Sequence, residues 1–289
     1  MAAHDRALIP FVRKDEITFA QAVQSYLTYG GKETRYLHRI AAYFADRPLT
    51  DITPFDVKQM ALALYPDGTN GTRNRAALTP ARAIIIHGYE RGWCHLMRLP
   101  KFRTPPPKRK QPASPAWLQI FARQCDIDGL KHLAALVIFM AQTGARISET
   151  IRLEWPEVDL VGRKVVLLKT KTDTNSTRFL TDELCDRMRE LYLRNNRHER
   201  VFSYGSRWSV NERIKAVCRR AGIAFKSPHL CGRHSFATNA IAMGAGIREA
   251  MEAGGWRSSE VFIEIYVHTS NAGRKVADRF NGISFDVNV

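Results

Sequence analysis

The sequence predicts a mainly α protein with one small antiparallel β-sheet, divided into two domains. Apolar residues recur at helical spacing through residues 1–100 and again beyond residue 181, while β-branched residues concentrate between 158 and 180. A proline-rich basic stretch separates the two helical regions. The 289 residues suit two domains better than one.

Thr18 offers an N-cap for a helix running to about Thr28. Lys32–Asp46 carries Tyr36, Ile40, Ala41 and Phe44 at helical spacing. Thr53-Pro54 opens a third helix, because proline at the first helical position gives up an N–H that would lack a partner anyway. A fourth is expected from about Arg73 to Arg91, bent or interrupted by Pro80. Residues 1–100 therefore read as a helical, basic domain. The stretch Gly71-Thr-Arg-Asn-Arg75 at a helix start offers Thr72, Arg73 and Arg75 to phosphate, and it also reads as an ordinary exposed cap.

Residues 101–115, KFRTPPPKRKQPASP, hold five prolines, five basic residues and no acid. Proline stiffens such a linker, and Lys108, Arg109 and Lys110 suit it to lie along phosphates. The second domain, 116–289, comes after a helix start at Pro115. Helices are expected at Pro115–Cys125 and Leu130–Gln142, the latter ended by Gly144, and another starts near Ile147 and stops at Trp155-Pro156. Val158–Val161, a Gly162-Arg163 turn, Lys164–Leu168 and Thr177–Leu180 make a three-stranded antiparallel sheet. Helices return at about 182–194, 208–221, 234–243, 247–253 and 258–267.

Charge narrows the function. Lys and Arg number 44 against 28 Asp and Glu, a formal +16, which is spread as +4 over residues 1–100, +5 over the linker and +7 beyond it. A polyanion is the expected partner, nucleic acid ahead of membrane, with basic lobes on both sides of the linker as a clamp around DNA requires. The longest apolar run, Leu133–Ala141, is nine residues, well short of the roughly 20 a membrane span needs, and reads as a buried core helix. No secretory signal is visible, so cytoplasmic residence is expected. Cys94, Cys125, Cys185, Cys218 and Cys231 are dispersed and show no C-x-x-C spacing, and the nine histidines form no ligand motif. Neither a disulfide framework, a metal site nor a cofactor is expected.

Phosphodiester chemistry without metal needs cations on the nonbridging oxygens, a nucleophile in line and an acid for the leaving oxygen. Four patches supply those residue types: Thr143-Gly-Ala-Arg-Ile-Ser-Glu149; Lys169-Thr-Lys-Thr172 between two strands; Pro228-His-Leu-Cys-Gly-Arg-His-Ser-Phe-Ala-Thr238; and Gly254-Gly-Trp-Arg-Ser-Ser with Tyr266-Val-His268 downstream. In this order the patches resemble the tyrosine recombinase or phage integrase family, and the resemblance spans the chain: a helical core-binding domain, a basic linker and an α+β catalytic domain. It implies that Arg146 and Arg233 clamp the scissile phosphate, that Lys171 protonates the departing 5′ oxygen, and that His229 assists as acid/base or phosphate ligand. It further implies that Trp256 takes the place where the family holds His or Trp, that Tyr266 is the nucleophile, and that Glu149 supports the first arginine. Lys169 competes with Lys171, since a two-residue shift keeps the same face of a hairpin. His229 and Arg233 are one residue further apart than is usual in the family, which marks Gly232 as an insertion; Trp256 and Tyr266 are also one residue further apart. His234 and His268 read as buttresses.

The resemblance further implies double-stranded DNA as substrate, a tetramer on two paired sites, an accessory directionality or bending protein, and a C-terminal segment, Val276–Val289, reaching a neighbouring subunit. No further arm-binding domain is expected ahead of Thr18. A phage or mobile-element recombinase is the leading reading. A type IB-like DNA-relaxing enzyme and a non-catalytic architectural protein of the same fold are the alternatives, separated by whether a particular duplex site and a tyrosine adduct are seen.

Overall fold

Side-chain caps set several of the helix starts. In the computed structural model, which describes residues 17–32, 35–105, 110–168, 175–194, 199–267 and 272–281, the chain forms two compact units, Met1–Lys108 and Arg109–Val289. In the first, Thr18 and Thr53 accept backbone N–H groups from Gln21 and Asp56 and so open α1 (Phe19–Thr28) and α3 (Pro54–Leu64). α2 (Leu37–Phe44) is shorter than the expected 32–46; at its C-terminal end Ala45 leaves helical geometry at φ 43°. α4 (Asn70–Arg73) begins three residues before the expected Arg73, where Thr69 caps it. The fourth helical stretch is interrupted just ahead of Pro80 rather than ended by it. The backbone widens into a π turn over Asn74–Leu78 and continues as α5 (Thr79–Glu90), so the ring of Pro80 sits in the first turn of α5, where no N–H is required. Phe19, Ile40, Leu49, Met60 and Ile84 from this unit are fully buried.

The expected linker is tied down at both ends. Asn74 pairs with Phe102 through two hydrogen bonds of 2.8 Å, its amide donating to the Phe102 carbonyl and its Oδ1 accepting the Phe102 N–H. Ala113 N–H donates to Ser235 Oγ at 2.8 Å, and Asn239 Nδ2 donates to the Ala113 carbonyl at 3.1 Å. Lys108 and Arg109 lie outside the described residues; Lys110 is exposed.

In the second unit, Ser114 caps α6 (Pro115–Ile127), and α7 (Lys131–Thr143) runs through the core with Leu133 to Ala141 all buried, as the apolar run predicts. Among the described residues no helix is long and apolar enough to cross a membrane. α8 (Ile147–Thr150) ends with Ile151 as its C-cap, ahead of the expected stop at Trp155-Pro156, which instead opens a 3₁₀ turn, Trp155–Glu157, with proline at a position where its missing N–H is harmless. β1 (Val158–Asp159), β2 (Lys164–Leu167) and β3 (Ser176–Phe179) form the antiparallel sheet in that order, with Val165 opposite Arg178 and Leu167 opposite Ser176. α9 (Asp182–Leu193) and α10 (Arg207–Arg220), capped by Thr181 and Ser206, cover the core. Then come α11 (Ser235–Ala242), α12 (Ile247–Gly254) and α13 (Ser259–Tyr266). A last helix, α14 (Ala272–Phe280), was not expected from sequence, although Ala272, Val276, Ala277 and Phe280 recur at helical spacing.

Candidate active site

Two helices end close together, and their ends build the site. α7 closes at Gly144, in the left-handed conformation with φ 67°, and α12 closes at Gly254 with Gly255 at φ 66°. Carbonyls at such helix ends have no intrahelical donor. Arg233 collects them: Nη1 donates to Gly144 O at 2.6 Å and Gly254 O at 2.9 Å, and Nη2 to Gly255 O at 3.2 Å. Its guanidinium lies 3.5 Å from the Trp256 ring centroid, and the residue is 6% exposed. These partners are neutral, so two helix C-termini and an aromatic face hold the cation without cancelling its formal charge. Burial first, then the charge of Arg146, lowers its pKa to about 10, still far above neutrality.

Arg233 reaches this place through an irregular turn. Leu230–His234 is a π turn kinked at Gly232 (φ −107°, ψ −105°), and a Cβ there would meet Met140 Cβ at 2.6 Å. One extra residue in a helix appears as such a bulge, which accounts physically for the lengthened spacing between His229 and Arg233.

Arg146 stands at the N-cap of α8. Its backbone N–H and its Nη1 donate to the two oxygens of Glu149, at 2.8 and 2.6 Å. The Glu149 side chain is 7% exposed and that of Arg146 33%, so the acid is enclosed while part of the guanidinium stays open.

Trp256 joins the arginines to the tyrosine. Its ring stacks on Phe236 (centroids 6.0 Å, interplanar 11°) and meets Tyr266 edge-on at 5.4 Å. Tyr266, 4% exposed, also contacts Phe262 at 5.3 Å and His234 at 5.0 Å. Glycine is needed at 254, because a Cβ there would stand 2.0 Å from the Trp256 ring. His229, 6.0 Å from the His234 ring, lines an open hollow of about 250 Å³ with Ile147, Arg207, Trp208, Asn211, Ser227 and Pro228. Desolvation, then the charges of Lys110 and Arg233, depress its pKa below the ordinary 6.5, keeping the imidazole neutral at neutral pH.

The structure thus brings Arg233, Trp256 and Tyr266 into one connected cluster, with Arg146 near enough to act on Arg233 through its charge and His229 at the edge. Lys169, Lys171 and His268 lie outside the described residues. Thr72, Arg73 and Arg75 belong to the first unit. There Arg73 spends three N–H groups on Tyr65 O, Asn70 Oδ1 and Pro66 O, and Arg75 is exposed. Sequence reasoning missed Arg178, which is 2% exposed and donates from Nη2 to Gly254 O at 3.2 Å. No sequence signal marks it: in the strand Ser176-Thr177-Arg178-Phe179 the arginine takes the inward position and Phe179, 75% exposed, the outward one, the reverse of what their polarity suggests.

Residues 119–272 match the model of the Phage integrase family, a stretch that contains Arg146, Lys171, His229, Arg233, Trp256 and Tyr266. The chain belongs to the phage integrase family. As a member of that family it carries a tyrosine recombinase catalytic domain. The integrase of Salmonella phage P22 is 28% identical over 205 residues, covering 64% of this chain and 51% of its own length. Tyrosine recombinase XerD of Mycobacterium tuberculosis is 28% identical over 273 residues, covering 81% of this chain and 86% of its own. The chain therefore spans about half the length of the P22 relative and most of the XerD one. Among solved structures, the Tn1549 transposon integrase in complex with transposon right end DNA aligns with a TM-score of 0.71 at 14% identity, over 92% of this chain and 100% of that one. XerH bound to difH aligns at 0.64 and 14% identity, over 91% of this chain and 78% of that one. These two likenesses show the fold, a mainly helical chain with a small antiparallel sheet.

Proposed function

We propose that this chain is a site-specific recombinase of a phage or other mobile element that cuts and rejoins duplex DNA through a 3′-phosphotyrosyl intermediate. Tyr266 Oη attacks the scissile phosphorus and gives up its proton to a nearby acceptor. The bond to the 5′ oxygen breaks as Lys171 protonates it. One P–O bond forms for each one broken, so a 5′ hydroxyl from another strand reverses the step without ATP or another cofactor. Arg146 and Arg233 bind the nonbridging oxygens, His229 assists proton movement, and Trp256 holds Arg233 against the nucleophile helix. The observation that carries this reading is Arg233 itself, a buried cation fixed by three neutral carbonyls and stacked on the tryptophan that touches Tyr266. Such a group lowers in energy when an anion arrives, since its position is already determined.

The formal +16 and relatives solved in complex with DNA support duplex DNA as partner. In this reading Thr72, Arg73 and Arg75 of the first unit and Lys108, Arg109 and Lys110 of the connection lie along its phosphates. The core-binding role falls to residues 1–100 and catalysis to 116–289. The working assembly is a tetramer on two paired sites, aided by an accessory directionality or bending protein. The test is covalent trapping: nicked suicide duplexes drawn from the DNA flanking the gene are incubated with wild type and with Tyr266→Phe and run on denaturing gels. A phosphate-linked adduct that disappears in the variant is expected. Tight binding with no adduct from wild type overturns the catalytic reading, and site-indifferent relaxation of supercoils turns it toward a relaxing enzyme.

A further inference from the structure

The candidate site holds three guanidinium groups, of Arg146, Arg178 and Arg233, with Glu149 in the same electrostatic neighbourhood. Arg178 is the most deeply buried of the three, at 2% exposed, and it has no carboxylate hydrogen-bond partner among the described residues. Its Nη1 donates to Ser176 Oγ at 2.5 Å and Thr177 O at 3.0 Å, which orients the fork on its own strand. Its Nη2 donates to Gly254 O, the carbonyl that also accepts from Arg233 Nη1. Both lone pairs of that oxygen are thereby used. Gly255 leaves room for the contact, since a Cβ there would lie 2.3 Å from Arg178 Nη2. Among the described residues, Arg178 Nε is buried without a hydrogen-bond partner. A half-satisfied buried cation is a poor stabiliser, and an apolar side chain of similar length would serve the core as well or better. Stability alone does not account for it.

We infer that Arg178 is a positioning residue for strand cleavage: through the shared Gly254 carbonyl it sets the place of the Arg233 guanidinium that receives the scissile phosphate. The inference rests on the recombinase reading above. It also explains why β3 turns an arginine inward opposite Val165, where an aliphatic residue would pack more simply.

The experiment is a double-mutant cycle in single-turnover cleavage of the suicide duplex, using wild type, Arg178→Met, Arg233→Lys and the double variant. Thermal melting and duplex affinity are measured alongside. Arg178→Met is expected to melt at or above the wild-type temperature and bind duplex within about threefold, yet to cleave at least about thirtyfold more slowly. In the Arg233→Lys background the same change is expected to slow cleavage by less than about threefold. Unchanged cleavage in Arg178→Met, or effects of the two substitutions that simply multiply, overturns the inference while leaving the recombinase reading intact. Should Arg178→Met lose its melting transition, the cycle is run with Arg178→Lys, which keeps the buried charge and loses the fork, and is judged by the same criterion. Absence of a Tyr266-dependent adduct from wild type takes down both readings.

Discussion

Trp256 does two physical tasks with one ring: its face carries the Arg233 cation at 3.5 Å and it packs against Tyr266 in a T-shaped contact. Trp256→Phe keeps an aromatic face, and Trp256→Ala removes both contacts. The alanine variant is expected to cleave suicide duplexes roughly 10–100-fold more slowly than the phenylalanine one, the loss being of cation–π and aromatic support together. Equal rates for the two would mean that the ring only fills space. Gly254 is the second sensitive position. Gly254→Ala places a methyl group 2.0 Å from that ring, so a loss of about 1–3 kcal/mol in urea unfolding is expected from overpacking. At this scale the candidate residues were legible in the sequence because their chemistry is intrinsic: arginine, histidine and tyrosine announce what they can do. Arg178 was not recognised because an arginine in a four-residue strand is ordinarily a surface charge, and its burial depends on a carbonyl 76 residues away.

At the level of elements, the π turn at Leu230–His234 and the two glycine-terminated helices do most of the positioning. Successive residues of an α-helix are turned by about 100° around its axis. Deleting Gly232 restores regular helical spacing and swings Arg233 away from the carbonyls of Gly144 and Gly254. That deletion is expected to abolish adduct formation while circular dichroism still reports a helical protein. A deletion variant that cleaves normally would show that the bulge has no part in placing Arg233. Helix boundaries were the most readable feature of the sequence where a Ser or Thr cap preceded an apolar run, as at Thr18, Thr53 and Ser114. They were least readable around Pro80, because the alternative to a broken helix, a wider turn just before the ring, depends on how Ala76, Ala77 and Leu78 bury against α3 and α5.

For the whole molecule, pH provides a test of the folded state. His87, His132 and His229 are all held below the ordinary pKa of 6.5, by burial first and then by a neighbouring Arg91, Arg213, or Lys110 with Arg233. The folded chain therefore declines protons that the unfolded chain accepts. Stability from this source is complete above the unfolded value and falls as pH drops through it, so the urea midpoint is expected to decrease between about pH 7.5 and about pH 5.5. A second loss comes at lower pH. The Asp56 carboxyl, held down to about 2 by hydrogen bonds from Thr53 and then from Arg47, stabilises the first unit above its unfolded value of 3.8 and stops doing so as pH falls towards 2. A midpoint that is flat or rises on acidification to about pH 5.5 would contradict the neutral, enclosed state of these histidines.

The sequence by itself determined the fold class, most helix starts, the excess of positive charge and the side chains of the candidate site. Each of those stems from local periodicity, caps and intrinsic chemistry. Tertiary structure alone decided which carbonyls hold Arg233, that Arg178 turns inward, how the extra residue at Gly232 is absorbed, and that Asn74 and Ser235 pin the ends of the proline-rich connection. Those arrangements pair groups from 21 to 122 residues apart. A buried polar group takes whichever partner the packed chain brings within reach, and no pattern along the sequence encodes that meeting.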